Sequence, residues 1–450
     1  MMTQTTNDTI VACATPAGYS SIGVIRASGE EAIRYAETIF TRQADQPLES
    51  NRAYFGEVID PTTQEIIDKV VVTVYRAPHS YTGEDVVEIA CHGNPLIIER
   101  ILQAVIKTGA RIAQRGEFTK RALLNGKIDL LQAEAVLDTV YAPCDEARKI
   151  AIAQYEGKLS EQVEHLRSGI FDLLVTINAA IDFSEEQDIE VNSESTDAKI
   201  SSLIDRVTTW LNDSQSGIKI KEGYRILIMG RANVGKSTLF NRLLGFDRAI
   251  THETPGTTRD YLEDTVALGG LYLILYDTAG MLGKATGVDQ QAQERTMQLM
   301  EGADLILLMF DGSEPMNEQD VNLYNITKHQ PTIMVVNKVD LNLRMHAPDI
   351  LKDCVKISAK SGHNIEALVD TIRSELLPVF NTNQPIITRE RHRQSLEDIR
   401  KDLQRAREAP TTETMAYELR AALDVCGELT GKIINKEILD RIFDEFCIGK

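Results

Sequence analysis

The sequence predicts a multidomain α/β protein. We expect an N-terminal α+β domain and an all-α helical bundle domain into which a doubly wound α/β domain is inserted. Helical periodicity fills about residues 123–216 and returns from "TRERHRQSLEDIRKDLQRAR", at residue 388, to the end. Between these stretches strands and helices alternate, which is typical of a parallel sheet covered by helices. At 450 residues the chain is also too long for a single hydrophobic core.

The pattern divides the chain at three points. Residues 1–122 are the predicted N-terminal domain, and residues 123–217 are the first part of the helical domain. Residues 218–378 are the inserted domain, and residues 379–450 complete the helical domain. A domain can be inserted where its two ends lie close together, so we expect the two helical parts to meet.

The N-terminal domain mixes both kinds of element. Strands are predicted in "TIVACATP", "SIGVIRAS", "KVVVTVYRAP" and "DVVEIACH", which are rich in β-branched residues. Helices are predicted in "EAIRYAETIF" and in "NPLIIERILQAVIKTG", which ends at Gly109. The helical domain carries apolar residues three and four apart, at uneven spacing that fits a bundle better than a coiled coil. Its acidic stretch "DFSEEQDIEVNSESTDA" is predicted to be a solvated connector.

Composition limits the classes of function. Hydrophobic residues make up 43% and charged residues 26%, as in ordinary globular proteins. No apolar run reaches the roughly 18 residues of a membrane span, and "MMTQTTNDTI" does not resemble a secretory signal. The six cysteines are scattered without a CxxC pair, so we expect reduced thiols and a cytoplasmic location. A net charge of −19 argues against a protein that binds nucleic acid through its overall electrostatic field.

The segment "RILIMGRANVGKSTLFNRLLG" reads as a strand, a glycine-bounded loop and a helix. Gly230, Gly235, Lys236 and Ser237 match the P-loop pattern in the required context. The loop amides can cradle phosphate oxygens at the helix N-terminus. Lys236 would reach the β- and γ-phosphates, and Ser237 would hold Mg²⁺.

Four further motifs follow in order at the ends of predicted strands or in loops. Thr258 of "TPGTTRD" could complete the Mg²⁺ shell, and Asp277 and Gly280 of "LYLILYDTAG" could face the metal and the γ-phosphate. Asp340 of "PTIMVVNKVD" can accept from guanine N1 and the 2-amino group, and "CVKISAK" lies near the base. These motifs predict a Ras-like P-loop domain that binds GTP with Mg²⁺. The predicted GTP-binding residues are Asn233, Val234, Gly235, Lys236, Ser237, Thr238, His252, Glu253, Thr254, Pro255, Gly256, Thr257, Thr258, Asp277, Thr278, Ala279, Gly280, Asn337, Lys338, Asp340, Ser358, Ala359 and Lys360.

The mechanism of hydrolysis must differ from that of Ras. Met281 stands where Ras-like proteins carry the glutamine that positions water. The sequence gives no evident arginine finger. Asn233 offers a side-chain oxygen near the phosphates, where a monovalent cation could supply the missing positive charge.

The whole chain resembles one family, the bacterial tRNA-modification GTPases called MnmE or TrmE. The most specific stretches are "RGEFTKRALLNGKIDLLQAEAVLD", "IDFSEEQD", "GRANVGKSTLFNRLLG", "TPGTTRD" and the terminal "CIGK". The resemblance implies a homodimer, paired through an N-terminal domain that binds folate, and hydrolysis stimulated by K⁺. It also implies a heterotetramer with an FAD-containing partner, MnmG or GidA. Together they would install an aminomethyl or carboxymethylaminomethyl group on carbon 5 of the wobble uridine of certain tRNAs, with 5-formyl- or 5,10-methylene-tetrahydrofolate as the donor.

The resemblance also implies roles for particular residues. The folate contacts would be Arg26, Glu88, Lys127 and Lys450, and K⁺ would be held at Asn233, His252, Thr254 and Thr257. The family's catalytic glutamate falls on Asp289, whose carboxylate sits roughly 1.5 Å short because Asp has one methylene less; Glu294 is the alternative. Cys447 is a hypothetical catalytic residue, and the tail would return to the folate site. His252 departs from the family pattern, as do Tyr19, Ser20 and Ser21, which replace a basic, glycine-rich loop.

Other interpretations remain at this stage. The G-domain motifs also fit a ribosome-assembly GTPase or a GTP-gated scaffold without enzymatic activity, and folate binding would separate these from the family function. The terminal "CIGK" is a poor prenylation signal because it ends in Lys450. The basic stretches "TRERHRQ" and "RKDLQRAR" could contact RNA, but a solvated helix face is the simpler interpretation.

Overall fold

The computed structural model describes residues 8–42, 47–182, 193–245, 263–277, 297–345, 352, 354–377, 385–433 and 436–450. The chain forms two compact units. The first comprises Met1–Leu137, Gln154–Glu164 and Asp424–Lys450, and the second comprises Asp138–Ala153 and His165–Leu423. These units follow contacts in space, whereas our four-part division follows sequence pattern and stays a prediction.

A seven-stranded sheet forms the core of the first unit. Its strands are β1 (Ile10–Cys13), β2 (Ile22–Ser28), β3 (Phe40–Thr41), β4 (Arg52–Ile59), β5 (Ile66–Tyr75), β6 (Val86–His92) and β7 (Arg111–Ile112). They lie in the order β3-β4-β5-β6-β2-β1-β7, antiparallel except for the β1–β7 pair. Helices α1 (Ala32–Ile39), α2 (Pro95–Lys107) and α3 (Glu117–Leu124) accompany the sheet. The predicted mixture of strands and helices is confirmed here.

The sheet buries one face because successive side chains on its strands alternate between the two faces. Val70, Val72 and Val74 of β5 are buried with residues of α1 and α2 in one core, while Val71 is exposed. Strand β4 escaped the sequence analysis because Gly56 weakens its pattern. That glycine is required, since a Cβ there would lie 2.4 Å from the carbonyl oxygen of Thr41.

Long helices make up most of the remaining described chain outside the second sheet. They are α4 (Leu130–Val140), α5 (Asp145–Tyr155), α6 (Lys158–Asp182), α7 (Ser193–Glu222), α11 (Glu390–Arg407), α12 (Thr412–Thr430) and α13 (Lys436–Asp444). The prediction of helical pattern on both sides of an α/β segment is confirmed. One boundary was wrong: α7 begins at Ser193, so the last six residues of the predicted acidic connector are helical. Acidic residues favour the first turn of a helix, where they face its positive end.

A six-stranded sheet lies in the second unit. It comprises β8 (Tyr224–Gly230), β9 (Glu263–Leu268), β10 (Leu271–Asp277), β11 (Leu305–Asp311), β12 (Thr332–Asn337) and β13 (Val355–Lys356). The order is β13-β12-β11-β8-β10-β9, parallel except for β9. Helices α8 (Lys236–Leu244), α9 (Glu318–Thr327) and α10 (Ile365–Leu376) belong to this segment. The chain order reverses on either side of β8, which places a ligand crevice at the carboxyl end of that strand.

Helix α7 and strand β8 are joined without a linker. Gly223 alone separates them, with a φ of 103°. The chain returns to α7 at Ile387, whose carbonyl oxygen would lie 2.2 Å from a Cβ at Gly217. The expectation that the two ends of the α/β segment lie close together is therefore confirmed.

In the parts of the chain that the structure describes, none of the helices combines the length and the apolar character needed to cross a bilayer.

Candidate functional site

The loop between β8 and α8 has the shape that its glycines allow. Gly230 and Gly235 have φ angles of 153° and 101°, in the region that side chains disfavour. A Cβ on Gly235 would lie 2.3 Å from Nδ2 of Asn337, and one on Gly230 would lie 2.6 Å from the carbonyl oxygen of Met309. Both positions therefore require glycine, as the P-loop pattern predicts.

Lys236 holds the curl of this loop. Its Nζ donates to the carbonyl oxygens of Gly230 and Arg231, both at 2.8 Å. Burial lowers the pKa of Lys236, and the nearby charge of Asp277 partly opposes that effect. The ammonium group thus lies within the loop that would surround the phosphates.

Ser237 and Asp277 lie together at the ends of α8 and β10. The Ser237 hydroxyl donates to Oδ2 of Asp277 at 2.8 Å. A hydroxyl and a carboxylate are the hard oxygen donors that Mg²⁺ prefers, so this pair fits the metal. Among the described residues no group of three His, Cys, Asp or Glu side chains could hold a metal ion by itself. In nucleotide sites Mg²⁺ usually keeps several waters and binds phosphate oxygens beside one or two protein oxygens.

Asn337 joins the phosphate loop to the loop around Ala359, which is predicted to lie near the base. Its Nδ2 donates to the carbonyl oxygen of Val234 at 2.8 Å, and its Oδ1 accepts from the amide of Ala359 at 2.9 Å. The side chain is buried, so both bonds are shielded from water. The motifs around positions 234, 337 and 359 are thereby brought together in the structure.

Asp340 lies beside this junction and is exposed. A hydrogen bond with Ser358 lowers its pKa, despite slight desolvation, and the charges of Lys360 and Lys338 lower it further. An ionised carboxylate at this point can accept from two adjacent donors of a guanine ring. A cavity of about 400 Å³ is lined by residues of the phosphate loop, of α8 and of the base loop: Ser237, Thr238, Asn241, Arg242, Gly245 and Ala359.

Several charged residues that support the site could not be recognised from the sequence. The Asp311 carboxylate at the end of β11 accepts from Lys338 Nζ at 2.5 Å and from the Ser313 hydroxyl at 2.6 Å. Burial alone would raise the pKa of Asp311, but these contacts lower it overall. Arg231 pairs with Glu314 at 2.6 Å, 83 positions away in sequence. Only the position of Arg231 inside the P-loop could have identified any of them.

Many predicted residues lie outside the described part of the chain. These are His252, Glu253, Thr254, Pro255, Gly256, Thr257, Thr258, Thr278, Ala279, Gly280 and Asp289, together with Met281 and Glu294. Asn233 is described: it is exposed, with a φ of 62° in the P-loop. Asn233 carries an amide oxygen, a donor of the type that K⁺ accepts, and the other residues predicted to hold K⁺ lie outside the described part of the chain.

A second cluster lies in the first unit around Arg26. Arg26 donates from Nε to Oε1 of Glu88 at 2.8 Å, across the paired strands β2 and β6. Its guanidinium carbon lies 5.9 Å from the ring centre of Tyr81 and 5.8 Å from that of Phe118. Tyr81 in turn shares a hydrogen bond with the Thr119 hydroxyl at 2.9 Å. Sequence analysis found Arg26 and Glu88 but missed the aromatic pair, because aromatic residues most often serve as core.

Lys450 belongs to the same cluster, whereas Lys127 contacts the chain at Pro78. Lys450 is partly buried, and desolvation together with the charge of Arg26 lowers its pKa. Lys127 Nζ donates to the carbonyl oxygen of Pro78 at 2.9 Å at an exposed position. An ionic pair, two aromatic rings and a partly buried ammonium together fit a flat heterocycle with an anionic tail.

The C-terminal tail is docked within the first unit. Ile448 forms an antiparallel bridge with Arg115, and the amide of Gly116 donates to the carbonyl oxygen of Cys447 at 3.3 Å. Gly449 is buried against the backbone of Cys13, while the Cys447 side chain is exposed. The predicted return of the tail to the Arg26 region is therefore confirmed.

The basic stretch of α11 is largely neutralised by its own acids. Ion pairs between residues three or four apart join Arg393 to Glu390 and Glu397, Arg400 to Glu397, Lys401 to Asp398 and Arg405 to Asp402. This favours a solvated helix face over an RNA contact.

The central strand of the doubly wound sheet runs into a phosphate loop that encloses the Lys236 side chain. Asn337 links that loop to the loop predicted to lie near the base. Together these features define a P-loop GTPase domain. Comparison with known proteins then identifies the family. The family model described as "MnmE helical domain" matches residues 130–447, and the one described as "GTP-binding protein TrmE N-terminus" matches residues 9–127.

Individual relatives agree with these matches. The chain is 40% identical to the tRNA modification GTPase MnmE of Syntrophotalea carbinolica, over 99% of each chain. It is 38% identical to that of Aquifex aeolicus, over 98% of this chain and 99% of the relative. The chain belongs to the MnmE family. Among solved structures, a variant of Era from Aquifex aeolicus bound to GDP·AlF4⁻ is 29% identical over 40% of this chain and 66% of that chain, with a TM-score of 0.26.

Proposed function

We propose that this MnmE-family protein uses K⁺-stimulated GTP hydrolysis to drive modification of the wobble uridine at carbon 5 in certain tRNAs. The chain is a GTP hydrolase acting in tRNA modification, which is the activity of its family. We infer that it works as a homodimer in a heterotetramer with an FAD-containing partner, MnmG or GidA. The modifying group is an aminomethyl or carboxymethylaminomethyl group, with a 5-formyl- or 5,10-methylene-tetrahydrofolate as one-carbon donor.

One observation carries the nucleotide part of this proposal: the contacts of Asn337 with Val234 and Ala359. They bring the loop that would hold the phosphates beside the loop that would hold the base. Lys236 would contact the β- and γ-phosphates, and Asp340 would accept from guanine N1 and the 2-amino group. Ser237 and Thr258 would hold Mg²⁺, which supplies charge neutralisation on the phosphates.

We infer that the attacking water is oriented by Asp289, since Met281 has no group that can do so. A K⁺ ion near Asn233, His252, Thr254 and Thr257 would supply positive charge during hydrolysis. A change of Asp289→Asn is expected to lower turnover while leaving nucleotide affinity intact. Unchanged turnover would transfer the role to Glu294.

Hydrolysis in two salts tests the K⁺ proposal. GTP turnover by the purified chain is measured in KCl and in NaCl at equal ionic strength. Marked stimulation by K⁺ is expected. Equal, slow rates in both salts would contradict K⁺ activation and point to activation by the partner protein.

The Arg26 cluster supports the folate proposal. The Arg26 guanidinium, paired with Glu88 and close to the Tyr81 ring, can bind a flat pterin edge, and Lys127 and Lys450 can hold a glutamate tail. This is also the feature that separates the family function from a ribosome-assembly GTPase or a GTP-gated scaffold.

Calorimetry with 5-formyl-tetrahydrofolate tests that site. The wild type is expected to bind, and Arg26→Met should weaken binding at least about tenfold, because a charge-assisted contact is lost. Arg34→Met removes an exposed arginine from α1 of the same unit and serves as the control. Failure of the wild type to bind, or equal binding by Arg26→Met, would refute the assignment.

The exposed sheet face supports the homodimer. Phe55 pairs across strands with Val71, Val71 with Ala90, and Ala90 with Val24. Phe55 and Val71 remain 70% and 39% exposed, so an apolar row crosses four strands on the face opposite α1 and α2. Burying such a row against a second copy is favourable at about 25 cal/mol per Å² of apolar surface.

Light scattering tests this interface. Phe55→Glu is expected to yield monomers, because it places a charge in the apolar row. Tyr417→Glu changes another aromatic residue that is 70% exposed and should leave the dimer intact. A dimeric Phe55→Glu variant would rule out this face.

Three further parts of the proposal rest on the sequence alone. We infer a cytoplasmic location and a division into domains at residues 122, 217 and 378. Cys447 is proposed to take part in the modification chemistry. A Cys447→Ser variant that keeps full modification activity would remove that role.

A further inference from the structure

Arg242 lies on α8, six residues beyond the P-loop lysine, and faces the cavity beside the nucleotide site. Its Nε donates to the carbonyl oxygen of Ala359 at 3.1 Å, and its Nη2 donates to that of Lys360 at 2.6 Å. Within the described residues the guanidinium forms these bonds to backbone carbonyls rather than an ion pair. An arginine used in this way holds a loop in place more firmly than a neutral donor could.

We propose that Arg242 is the positioning residue that sets the base loop of residues 358–362 to read the 6-oxo group of guanine. This rests on the proposed binding of guanine nucleotides at this site. Arg242 would not touch the base itself. It would act through the backbone of Ala359 and Lys360.

The geometry of the peptide bond explains how Arg242 could act at a distance. A trans peptide is planar, and its N–H points away from its C=O. Fixing the Ala359 carbonyl on Arg242 therefore fixes the direction of the Lys360 N–H. In the same way, the Lys360 carbonyl fixes the Ser361 N–H, which donates to the Ser358 hydroxyl at 3.2 Å.

The rest of the base loop is held from other sides. Asn337 accepts from the amide of Ala359, and the amide of Gly362 donates to the carbonyl of Ser358 at 2.8 Å. Gly362 has a φ of 84°, and a Cβ there would lie 3.7 Å from Nη1 of Arg242. Arg242 thus closes the side of the loop that Asn337 does not reach, and it ties the base loop to the helix that follows the phosphate loop.

This role differs from that of Asp340. Asp340 would accept from guanine N1 and the 2-amino group, whereas a backbone N–H of the base loop can donate to O6. Loss of Arg242 should therefore weaken recognition at position 6 alone. A nucleotide with sulfur in place of O6 keeps N1–H and the 2-amino group but is a poorer acceptor, so it separates the two contributions.

The experiment measures dissociation constants for GDP and 6-thio-GDP with the full-length protein. Arg242→Ala is expected to raise the Kd for GDP about tenfold and the Kd for 6-thio-GDP less than about twofold, as one well-formed hydrogen bond is worth roughly a factor of ten. Arg242→Lys should recover part of the loss because its ammonium can still donate to a carbonyl. Arg225→Ala, at the opposite end of β8, is the matched control.

Each outcome bears on the proposal. Asp340→Asn should raise the Kd for both nucleotides by similar factors. That is the pattern expected when contacts to N1 and the 2-amino group are lost. An unchanged Kd for GDP in Arg242→Ala would overturn the proposal. Equal weakening of both nucleotides would also overturn it, because it would show only general support of the fold. If the wild type failed to bind GDP, the guanine site itself would be wrong.

Discussion

Replacing Gly449 by alanine would test how firmly the tail is docked. Gly449 has a φ of 99°, and an added Cβ would lie 2.2 Å from the carbonyl oxygen of Cys13 and 3.0 Å from Cα of Ala14. Both contacts involve backbone, so neither can be relieved by a side-chain rotation. The tail must shift by nearly 1 Å, which also strains its bond to Gly116.

The free-energy cost of Gly449→Ala has two contributions. An alanine held at this φ costs about 1–3 kcal/mol, and a lost backbone hydrogen bond costs about 0.5–1.5 kcal/mol. A total of about 1.5–4.5 kcal/mol corresponds to an opening equilibrium that rises about 10- to 1,500-fold, at 1.4 kcal/mol per factor of ten. Hydrogen exchange of peptides that contain Gly116 and the last four residues should accelerate accordingly.

Gly157→Ala is the control for this experiment. Gly157 has a φ of 91°, but a Cβ there would meet only Nε2 of Gln132, at 3.4 Å. It therefore introduces comparable backbone strain at another place in the first unit, without a backbone clash, and exchange of the tail should stay at the wild-type rate. Tail exchange within about twofold of wild type in Gly449→Ala, well below the tenfold that 1.4 kcal/mol represents, would refute this reasoning.

Three other predictions concern buried polar contacts. Asp138→Ala removes the buried carboxylate that pairs with Arg389 at 2.6 Å and should lower the free energy of unfolding by about 3–5 kcal/mol in urea titrations. Asp145→Asn, at an exposed pair, should leave the free energy of unfolding nearly unchanged, and equal effects of the two substitutions would contradict the prediction. Asn337→Ala removes two buried bonds and should raise the Kd for GDP at least about 30-fold by fluorescence titration, whereas a change below threefold would argue against the bridge. Burial raises the pKa of Glu117, but hydrogen bonds from Arg111 and the backbone lower that pKa overall. The ionised carboxylate therefore stabilises the fold fully above about pH 4.3, and this stabilisation is lost as pH falls further. The difference in free energy of unfolding between wild type and Glu117→Gln should shrink below that pH, and a constant difference would count against the prediction.

Local motifs allowed much of the nucleotide site to be predicted. Gly235, Lys236 and Ser237 are specified by neighbours in sequence, and their structure depends on a single strand–loop–helix turn. Asn337 and Ala359 could be predicted because each belongs to its own recognisable motif. These residues then meet in the structure because parallel strands end at one edge of the sheet.

The supporting residues could not be predicted for the opposite reason. Arg242 binds carbonyls 117 and 118 positions away, and backbone carbonyls carry no sequence signature. Tyr81 and Phe118 flank Arg26 only because three separate segments converge. A charged or aromatic side chain in such a place reads in sequence as an ordinary surface or core residue.

The close approach of Ile387 to Gly217 has a consequence for the evolution of the chain. Both ends of the α/β segment are fixed on α7, so the segment is a loop whose ends are closed by the helices. The entropy of closing a flexible loop grows only with the logarithm of its length, and each doubling adds about 0.6 kcal/mol. The helices can therefore tolerate large changes in the length of the segment between residues 224 and 385 at little thermodynamic cost, provided the point of closure on α7 is kept.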